Sequence, residues 1–349
     1  MKTAVLLSGG VDSSVVLRLL QDDGQRDLTA FYLKIWLEDE LSHLGECPWE
    51  TDLEYAREVC ETAGVPLEIV SLQTEYYQRV VTYAVAELRE GRTPSPDIFC
   101  NQRIKFGAFF ERIDPSCRVA TGHYARISER LGLFHLERGV DRVKDQTYFL
   151  SHMNQAQLGR SLFPIGHLTK REVRRLADAY GLPNRQRKDS QGICFLGKIK
   201  FDEFVRSNLG ERAGEIRERE SGRVLGEHRG YWFHTVGQRR GLGLSRGPWY
   251  VVGKDLARNV VYVSHQETLE RHARRTFRVE APHWIAGPPA ASRLGVKLRH
   301  SEHIDGCELV AAEGDALQVT LDAPDSGVAP GQFAVFYDGE TCLGGARIL

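Results

Sequence analysis

The sequence predicts an α/β protein in which a domain built on a parallel sheet is followed by a small β-rich domain and a C-terminal β-barrel. In the first ~200 residues, apolar strand-like runs alternate with amphipathic helical patterns, as is typical of a parallel sheet. Beyond that point, short strand-like runs separated by Gly, Asn and Asp dominate, as in all-β domains. We expect the three domains to span residues 1–199, 200–270 and 271–349.

Four apolar runs of the N-terminal part have the length of buried strands: residues 3–7, 28–35, 67–71 and 118–121. Helices are expected between them. Asp52 is a good N-cap for a helix that ends at Gly64, because glycine readily adopts the left-handed conformation of a helix end. Thr169 and Glu172 have the spacing of a capping box, which predicts a helix that ends at Gly181.

Eight short runs in the remainder of the chain predict the strands of the two β domains. They are residues 223–225, 231–235, 249–252, 260–263, 278–280, 296–299, 318–321 and 334–337.

Composition narrows the class of protein. The seven cysteines are an odd number, scattered through a long chain without any C-x-x-C pair, which argues against a disulfide framework and a zinc ribbon. No run approaches the ~18 apolar residues that a membrane span needs, and the first strand begins directly after Met1. We therefore expect a soluble cytoplasmic protein without a signal peptide or a membrane partner.

The net charge of −1 does not by itself indicate a nucleic-acid partner, but the basic residues are clustered. Residues 184–188, residues 238–240 with Arg246, and residues 271–275 form local positive patches. Such patches can neutralise phosphates on a protein that is neutral overall, although a single cluster is as often a solvated face.

A candidate phosphate loop lies between the first strand and the first helix, at residues 8–14 (Ser-Gly-Gly-Val-Asp-Ser-Ser). Glycines allow the backbone to approach a ligand closely, and the N–H groups of a helix N-terminus favour an anion. The carboxylate of Asp12 would repel phosphate, so it is expected beside a cation such as Mg²⁺. The loop contains no lysine, which excludes the kinase-type P-loop.

Two cysteines stand in loops whose Gly, Pro, Ser and Asp neighbours are poor core sequence. Asp97 precedes Cys100 by three residues, and a thiol that opens a helix there would have a lowered pKa. Asp97 is a candidate general acid or base. Cys194 follows the basic residues 185–188. The cysteines at positions 60, 117, 307 and 342 are expected to be structural, and Cys47 more weakly so.

The loop resembles the PP-loop of the N-type ATP pyrophosphatases, which implies adenylation rather than phosphorylation. The chain as a whole resembles the MnmA-type tRNA-specific 2-thiouridylases. The resemblance rests on residues 8–14, 96–101, 105–107, 120–124, 144–149, 163–166, 190–195, 237–243 and 329–332. It implies a PP-loop fold, that is, an adenine nucleotide alpha hydrolase-like, Rossmann-like N-terminal domain.

The resemblance also implies roles for individual residues. ATP would contact Leu6, Leu7, Ser8, Gly9, Gly10, Val11, Asp12, Ser13, Leu33 and Gly122, with Asp12 also a candidate Mg²⁺ ligand. The target base would meet Ser95, Pro96 and Asp97. The tRNA would contact His123, Lys144, Asp145, Gln146, Arg299, His300 and Gln332. Leu33, Ser95 and His300 stand where the family usually has Met, Asn and Tyr.

The implied reaction uses ATP, Mg²⁺ and persulfide sulfur. O2 of a flipped-out wobble uridine attacks the α-phosphate of ATP, and a persulfide on Cys194 supplies sulfur to C2. Cys100 then forms a disulfide with Cys194, while Asp97 manages protons. The sulfur would come from a relay protein or a cysteine desulfurase, and the substrates would be the tRNAs for Lys, Glu and Gln.

Four other interpretations remain open at this point. Asp97, Cys100 and Cys194 could hold an iron–sulfur cluster with one open iron. Another PP-loop adenylating ligase would have no use for the two thiols. An RNA-binding module that kept a nucleotide pocket would not need the thiols or Asp97. A redox dithiol protein would leave the phosphate loop unexplained.

Overall fold

The structure, a computed structural model, describes residues 2–35, 49–188 and 201–349. The strands are β1 (Thr3–Leu6), β2 (Leu28–Lys34), β3 (Leu67–Ser71), β4 (Arg118–Ala120), β5 (Ala125–Arg130), β6 (Leu133–Arg138), β7 (Ser161–Leu162), β8 (Gly214–Glu218), β9 (Val224–His228), β10 (Trp249–Asp255), β11 (Val260–His265), β12 (Arg274–Trp284), β13 (Arg293–Lys297), β14 (Asp305–Ala311), β15 (Leu317–Asp325), β16 (Phe333–Asp338) and β17 (Thr341–Ile348). In the N-terminal part, a five-stranded parallel sheet has the order β3-β2-β1-β4-β7, so the first strand is central.

Helices cover the sheet. The α-helices are α1 (Val11–Asp22), α2 (Trp49–Ala63), α3 (Gln73–Tyr76), α4 (Thr82–Arg89), α5 (Pro96–Phe99), α6 (Thr147–Leu150), α7 (Gln155–Arg160), α8 (Lys170–Ala179) and α9 (Phe201–Leu209). Two π-helical segments, Tyr77–Val81 and Cys100–Ala108, continue α3 and α5, and 3-10 turns occur at Tyr231–Phe233 and Gln266–His272. No helix in the described ranges is both long and apolar enough to cross a membrane.

The predicted parallel sheet is confirmed, and the four expected strands differ from β1 to β4 by at most one residue at an end. The capping box is also present. Thr169 accepts from the N–H of Glu172, whose side chain accepts in return from the N–H of Thr169, and α8 begins at Lys170. The glycine that follows this helix, Gly181, has a φ of +61°. The helix predicted from Asp52 begins three residues earlier, at Trp49.

The middle sheet has the order β10-β11-β8-β9, and β8 and β11 are its parallel pair. The strand predicted at residues 231–235 is wrong. Tyr231–Phe233 is a 3-10 turn in which the N–H of His234 bonds to the carbonyl of Tyr231. The run Tyr-Trp-Phe is continuously apolar because these rings fill the contact between the middle sheet and its neighbours, not because it pairs as a strand.

The predicted C-terminal barrel is confirmed. Its order is β12-β15-β14-β13-β16-β17, and pairing of β12 with β17 closes it. The hairpin β5–β6 of the N-terminal part extends this sheet, because β6 pairs with β17 through Leu136 and Cys342. The first and last parts of the chain therefore share one continuous sheet.

The π-helical segment Cys100–Ala108 is supported by one side chain. The N–H of Phe109 bonds to the carbonyl of Ile104 at 2.9 Å, five residues back. Such bonds leave other carbonyls free, and Nε2 of Gln157 donates to two of them, Gln102 at 2.9 Å and Phe106 at 2.8 Å. Because π-helical turns are rare and concentrate at functional sites, this segment is a candidate part of the functional site.

Candidate functional site

The phosphate loop follows β1 and leads into α1. The side chains of Leu6, Leu7 and Val11 are buried in the core, so this part of the loop can offer a ligand only its backbone. The loop is closed by the hydroxyl of Ser13, which accepts from the N–H of Ser8 at 3.2 Å and donates to the carbonyl of Gly10 at 3.0 Å. Gly10, the N-cap of α1, contributes no side-chain cap, so the helix N-terminus is available to an anion.

Two glycines bring the backbone of this loop close to its neighbours. Gly9 has a φ of +72°, and a Cβ there would lie 2.1 Å from the carbonyl oxygen of Asp52. A Cβ on Gly122 would lie 3.0 Å from the backbone nitrogen of Ser13. At Gly9 a side chain would therefore collide with α2, and at Gly122 it would fit only if the loop moved slightly.

Asp12 accepts from two residues that lie far away in the sequence. The hydroxyl of Tyr124 donates to its Oδ1 at 2.9 Å. The ammonium of Lys170 lies 2.7 Å and 2.8 Å from the two carboxylate oxygens. The carboxylate proposed as a cation ligand is thus held by a tyrosine from the β4–β5 connection and by the first residue of α8.

The segment before Cys194 is attached to the phosphate loop. Nδ2 of Asn184 donates to the carbonyl of Gly9 at 2.8 Å and to the hydroxyl of Ser14 at 2.9 Å. Arg187 donates to the same carbonyl at 3.1 Å and forms an ion pair with Asp52. This part of the basic cluster at residues 184–188 therefore serves an internal contact. Cys194 and Cys47 lie outside the described residues.

Asp97 and Cys100 lie on one helical stretch, but Cys100 does not open it. The helix begins at Pro96, Asp97 is in its first turn, and Cys100 follows in the second. Because the field of a helix terminus fades beyond the first turn, it acts more on Asp97 than on the thiol. Cys100 therefore lacks the helix-opening position that the sequence predicted for it.

Cys100 packs in the hydrophobic core on one face of the parallel sheet. Cys100 is 1% exposed and belongs to the same core cluster as Leu6 of β1 and Phe31 of β2. Leu33, named for the adenine pocket, is half-buried and packs against that cluster. The sheet thus brings the adenine-pocket candidate, the start of the phosphate loop and the thiol to one core.

The segment before Ser95 is held by the middle sheet. The hydroxyl of Tyr231 donates to the carbonyl of Arg89 at 2.6 Å, and the ammonium of Lys254 donates to that of Gly91 at 2.9 Å. Burial lowers the pKa of Lys254 to about 8.

The barrel holds the same segment from another direction. The N–H of Thr93 donates to the carbonyl of Pro330 at 2.8 Å. Gly331 has a φ of +90°, and a Cβ there would lie 2.8 Å from the carbonyl oxygen of Thr93. The predicted tRNA contact Gln332 follows directly. The position of Ser95, Pro96 and Asp97 therefore depends on all three parts of the chain.

His123 and Gln146 belong to a second connected group. His123 is 8% exposed, and its Nδ1 lies 2.7 Å from the hydroxyl of Thr121. Burial, with the nearby charge of Lys105, holds the pKa of His123 well below its ordinary value, so the ring is neutral near pH 7. Gln146 accepts from the N–H of Tyr124 at 3.0 Å, which links its loop to the tyrosine that contacts Asp12.

Asp145 makes its contacts inside the protein. Its carboxylate is fully buried and lies 2.9 Å from the ammonium of Lys297, itself fully buried. Burial alone would raise the pKa of the Asp145 carboxyl, but the charge of Lys297 and the hydrogen bonds from Lys297, Thr147 and Gly139 together outweigh this, and the pKa is lowered. We infer that Asp145 holds the loop 144–146 against the barrel, which leaves its neighbours Lys144 and Gln146 as the candidates for RNA contacts.

Two of the three barrel residues predicted to contact tRNA lie just after β13. Arg299 and His300 are exposed. Arg299 is paired with Asp325 at 2.7 Å, which raises its pKa. The ring of His300 stacks on Phe149 with centroids 4.8 Å apart, and its Nε2 lies 2.9 Å from the carbonyl oxygen of Asp145. The structure thus brings this part of the barrel beside residues 145–149.

The described cysteines expected to be structural behave as such. Cys60, Cys307 and Cys342 are buried, and burial raises their pKa values to about 11, about 12 and about 12. Burial also raises the pKa of Cys117, which is partly exposed. These four thiols are therefore protonated at neutral pH and poor nucleophiles.

Sequence reasoning missed Lys170 and Tyr124 as neighbours of the phosphate loop. Lys170 is 158 positions from Asp12 and Tyr124 is 112 positions from it, so no local spacing links them. The only signal was the motif at residues 120–124, which includes Tyr124, and the capping box that fixes where α8 begins.

Models of known protein families match nearly the whole chain. Three family models match consecutive parts of the chain: the tRNA methyl transferase HUP domain (residues 1–198), the tRNA methyl transferase PRC-barrel domain (residues 202–265) and the aminomethyltransferase beta-barrel domain (residues 274–348).

Curated relatives match the whole chain. The tRNA-specific 2-thiouridylase MnmA 1 of Bacteroides thetaiotaomicron is 44% identical over 100% of this chain and 99% of its own length. The tRNA-specific 2-thiouridylase MnmA of Parabacteroides distasonis is also 44% identical, with the same coverage of both chains. That of Porphyromonas gingivalis is 43% identical, again with 100% and 99% covered. With its phosphate loop, its three matched domains and this full-length similarity, the chain belongs to the MnmA family of tRNA-specific 2-thiouridylases.

Proposed function

We propose that this protein is a tRNA-uridine 2-sulfurtransferase, which adenylates O2 of the wobble uridine at the expense of ATP and replaces it with sulfur. The observation that carries the proposal is the position of Cys100. Its thiol packs in one core cluster with Leu6, where β1 enters the phosphate loop, and Asp97 lies one turn earlier on the same helix.

The phosphate loop fits the triphosphate of ATP. The N-terminus of α1 has no side-chain cap, a Cβ at Gly9 would collide with Asp52, and a Cβ at Gly122 would press on the loop. Asp12 would hold Mg²⁺, and the bound ion would neutralise charge on the phosphates. The backbone N–H groups of the loop orient the pyrophosphate portion, so that the α-phosphate faces the incoming base.

In the proposed reaction, O2 of the uridine attacks the α-phosphate and pyrophosphate leaves. The terminal sulfur of a Cys194 persulfide then attacks C2. The thiolate of Cys100 attacks the Cys194 sulfur, so the sulfur stays on C2, AMP departs with the former O2, and a Cys100–Cys194 disulfide forms. An external dithiol returns two electrons to this disulfide and frees both thiols.

Asp97 is the proposed proton carrier of this sequence. It is half-buried, in the first turn of its helix. The buried thiol of Cys100 must lose its proton before it attacks, and Asp97 is one turn away on the same face. Ser95 and Pro96, which precede it, would border the target base.

The tRNA would lie across the junction of the N-terminal part and the barrel, touching His123, Lys144, Gln146, Arg299, His300 and Gln332. The tRNAs for Lys, Glu and Gln are the proposed substrates. A sulfur-relay protein or a cysteine desulfurase would deliver the persulfide in the cytoplasm. We place the domain boundaries at residues 1–199, 200–270 and 271–349.

The test incubates the protein with unmodified tRNA, Mg²⁺, ATP and a persulfide donor, and quantifies 2-thiouridine in the digested tRNA by mass spectrometry. We expect the product only when ATP is present. Cys100→Ser and Cys194→Ser should abolish it and Asp97→Asn should reduce it strongly, whereas the control Cys117→Ser should retain it. Full turnover by Cys194→Ser with a persulfide donor would overturn the proposed sulfur path.

The iron–sulfur alternative is decided on the same protein. Anaerobically purified protein with bound iron, visible absorbance and product formation from free sulfide would replace the persulfide path with a cluster held by Asp97, Cys100 and Cys194. Colourless, iron-free protein that is active with a persulfide donor would exclude the cluster.

A further inference from the structure

Lys170 is fixed so that its side chain reaches the phosphate loop. It is the first residue of α8, its backbone N–H donates to Asp141 at 2.9 Å, and the capping box of Thr169 holds the helix start. Its ammonium lies 2.7 Å and 2.8 Å from the two carboxylate oxygens of Asp12. The side chain of Lys170 is 15% exposed and that of Asp12 is 30% exposed, so the pair lies in a partly open site.

The phosphate loop needs a positive charge that its own sequence does not provide. Between Lys2 and Arg18 the chain has no basic residue, and Asp12 adds a negative charge. ATP brings about four negative charges, so backbone N–H groups alone would leave much of that charge uncompensated.

Among the described basic residues near the loop, Arg187 is occupied by structural contacts. Its guanidinium pairs with Asp52, donates to the carbonyl of Gly9 and lies over the ring of Tyr55. Lys170 is different, because its ammonium contacts the carboxylate that we expect to bind the divalent cation. A lysine ammonium is also a compact charge on a flexible stem, suited to changing partners.

We propose that Lys170 is the phosphate-binding lysine of this loop, supplied by the fold from α8. Without nucleotide, Lys170 neutralises Asp12. When ATP and Mg²⁺ bind, the carboxylate turns to the cation and the ammonium turns to the β- and γ-phosphate oxygens. There it stabilises the charge that develops on the leaving pyrophosphate. Tyr124, which donates to Oδ1 of Asp12, limits how far the carboxylate moves during the exchange.

This inference rests on the proposed function only in requiring that the chain binds ATP. It predicts a dependence on the ligand, because the β- and γ-phosphates are present in ATP and in pyrophosphate but absent from AMP. A lysine that merely supported the fold of the loop would affect all three ligands alike.

The test compares wild type, Lys170→Met, Lys170→Arg and the control Arg171→Met, an exposed neighbour on the same helix. Isothermal titration calorimetry with Mg²⁺ measures the affinities for ATP, pyrophosphate and AMP, and circular dichroism verifies the fold. For Lys170→Met we expect ATP and pyrophosphate affinities to fall about 10- to 100-fold, the effect of one charge-assisted hydrogen bond, while AMP affinity stays within about twofold. Lys170→Arg should recover part of the loss, and Arg171→Met should match wild type.

Two results would overturn the inference. An equal loss for ATP and AMP would assign Lys170 a structural role, and unchanged ATP affinity would show that it does not contact the phosphates. If Lys170→Met does not fold, Lys170→Gln and Lys170→Arg provide the same comparison of ATP with AMP. Wild type that fails to bind ATP would overturn the proposed function as well, whereas wild-type binding with an unaffected variant overturns only this inference.

Discussion

Arg347, in the last strand of the barrel, donates to the carboxylate of Glu87, a buried residue of α4, across 3.0 Å. Glu87 is 4% exposed and also pairs with Arg92 at 2.8 Å. Arg347 pairs in turn with Glu280 of β12. This network joins the barrel to the segment that leads to Ser95, so the barrel helps to set the position of Asp97 and Cys100.

Removing the charge of Glu87 should therefore weaken the attachment of the barrel. Glu87→Gln leaves two arginines without their buried partner, and we expect a loss of about 1–3 kcal/mol in the free energy of unfolding by urea. Turnover should decrease by more than the loss of folded protein accounts for, because the helix that carries Asp97 and Cys100 loses a support. Glu90→Gln, an exposed neighbour, is the matched control, and equal effects of the two variants would contradict this role.

The close approach of Gly9 to Asp52 predicts a severe effect of a single methyl group. Gly9→Ala combines an unfavourable positive φ with a collision against a backbone oxygen, so we expect the loop to shift and ATP binding to be lost. Gly24→Ala is the control, because Gly24 has a similar φ of +79° but nothing within 4 Å of the added Cβ. It should cost about 1–2 kcal/mol of stability and leave ATP affinity unchanged. Retained ATP affinity in Gly9→Ala would contradict the proposed loop.

The free energy of unfolding should decrease as the pH drops below 6.5, because of His152. Burial, with His283 and Arg103 nearby, lowers the pKa of His152 from 6.5 to about 3. The unfolded chain therefore takes up a proton between pH 6.5 and 3 that the folded chain does not, and stability is lost as the pH decreases. From pH 7 to pH 5 we expect a loss of about 2 kcal/mol from this residue.

Urea unfolding at the two pH values measures the loss, and His152→Gln should show a smaller decrease than wild type. His167→Gln, at an exposed histidine, is the control and should retain the full decrease. An identical pH dependence of wild type and His152→Gln would rule out this source.

An unusual hairpin turn predicts a stabilising substitution. Leu131 and Gly132 connect β5 to β6, with φ values of 53° and 75°. Two positive φ values are typical of a type I′ turn, which prefers Asn-Gly, and a leucine there is strained and fully exposed. Leu131→Asn should increase the free energy of unfolding by about 1 kcal/mol. Leu133→Asn, at the first residue of β6, should not stabilise, and stabilisation by both variants would contradict the turn argument.

The same turn explains a limit of sequence-based prediction. Strands β1 to β4 were predictable because each is an apolar run bounded by turn residues. The hairpin β5–β6 escaped notice because Leu-Gly replaces the usual turn pair. Its strands carry many charged residues, and β6 pairs with β17, which lies about 200 residues away in the sequence.

The features of the candidate site also divide into those visible as local sequence patterns and those that depend on contacts between distant residues. The phosphate loop and the Asp97–Cys100 spacing are local patterns, and they were visible in the sequence. The contact of Lys170 with Asp12 and the attachment of Asn184 to Gly9 arise from chain folding, which no local pattern encodes. The buried state of Asp145 also could not be foreseen, because its partner Lys297 lies 152 positions away.

The central claim is that thiolation proceeds through an adenylated base, and the products of ATP test it most directly. In a reaction with tRNA, Mg²⁺, ATP and a persulfide donor, AMP, pyrophosphate and 2-thiouridine should be quantified together. We predict one AMP and one pyrophosphate for each 2-thiouridine, and neither AMP nor pyrophosphate when tRNA is omitted. Formation of ADP and phosphate in place of AMP and pyrophosphate, or of 2-thiouridine without ATP, would contradict the account.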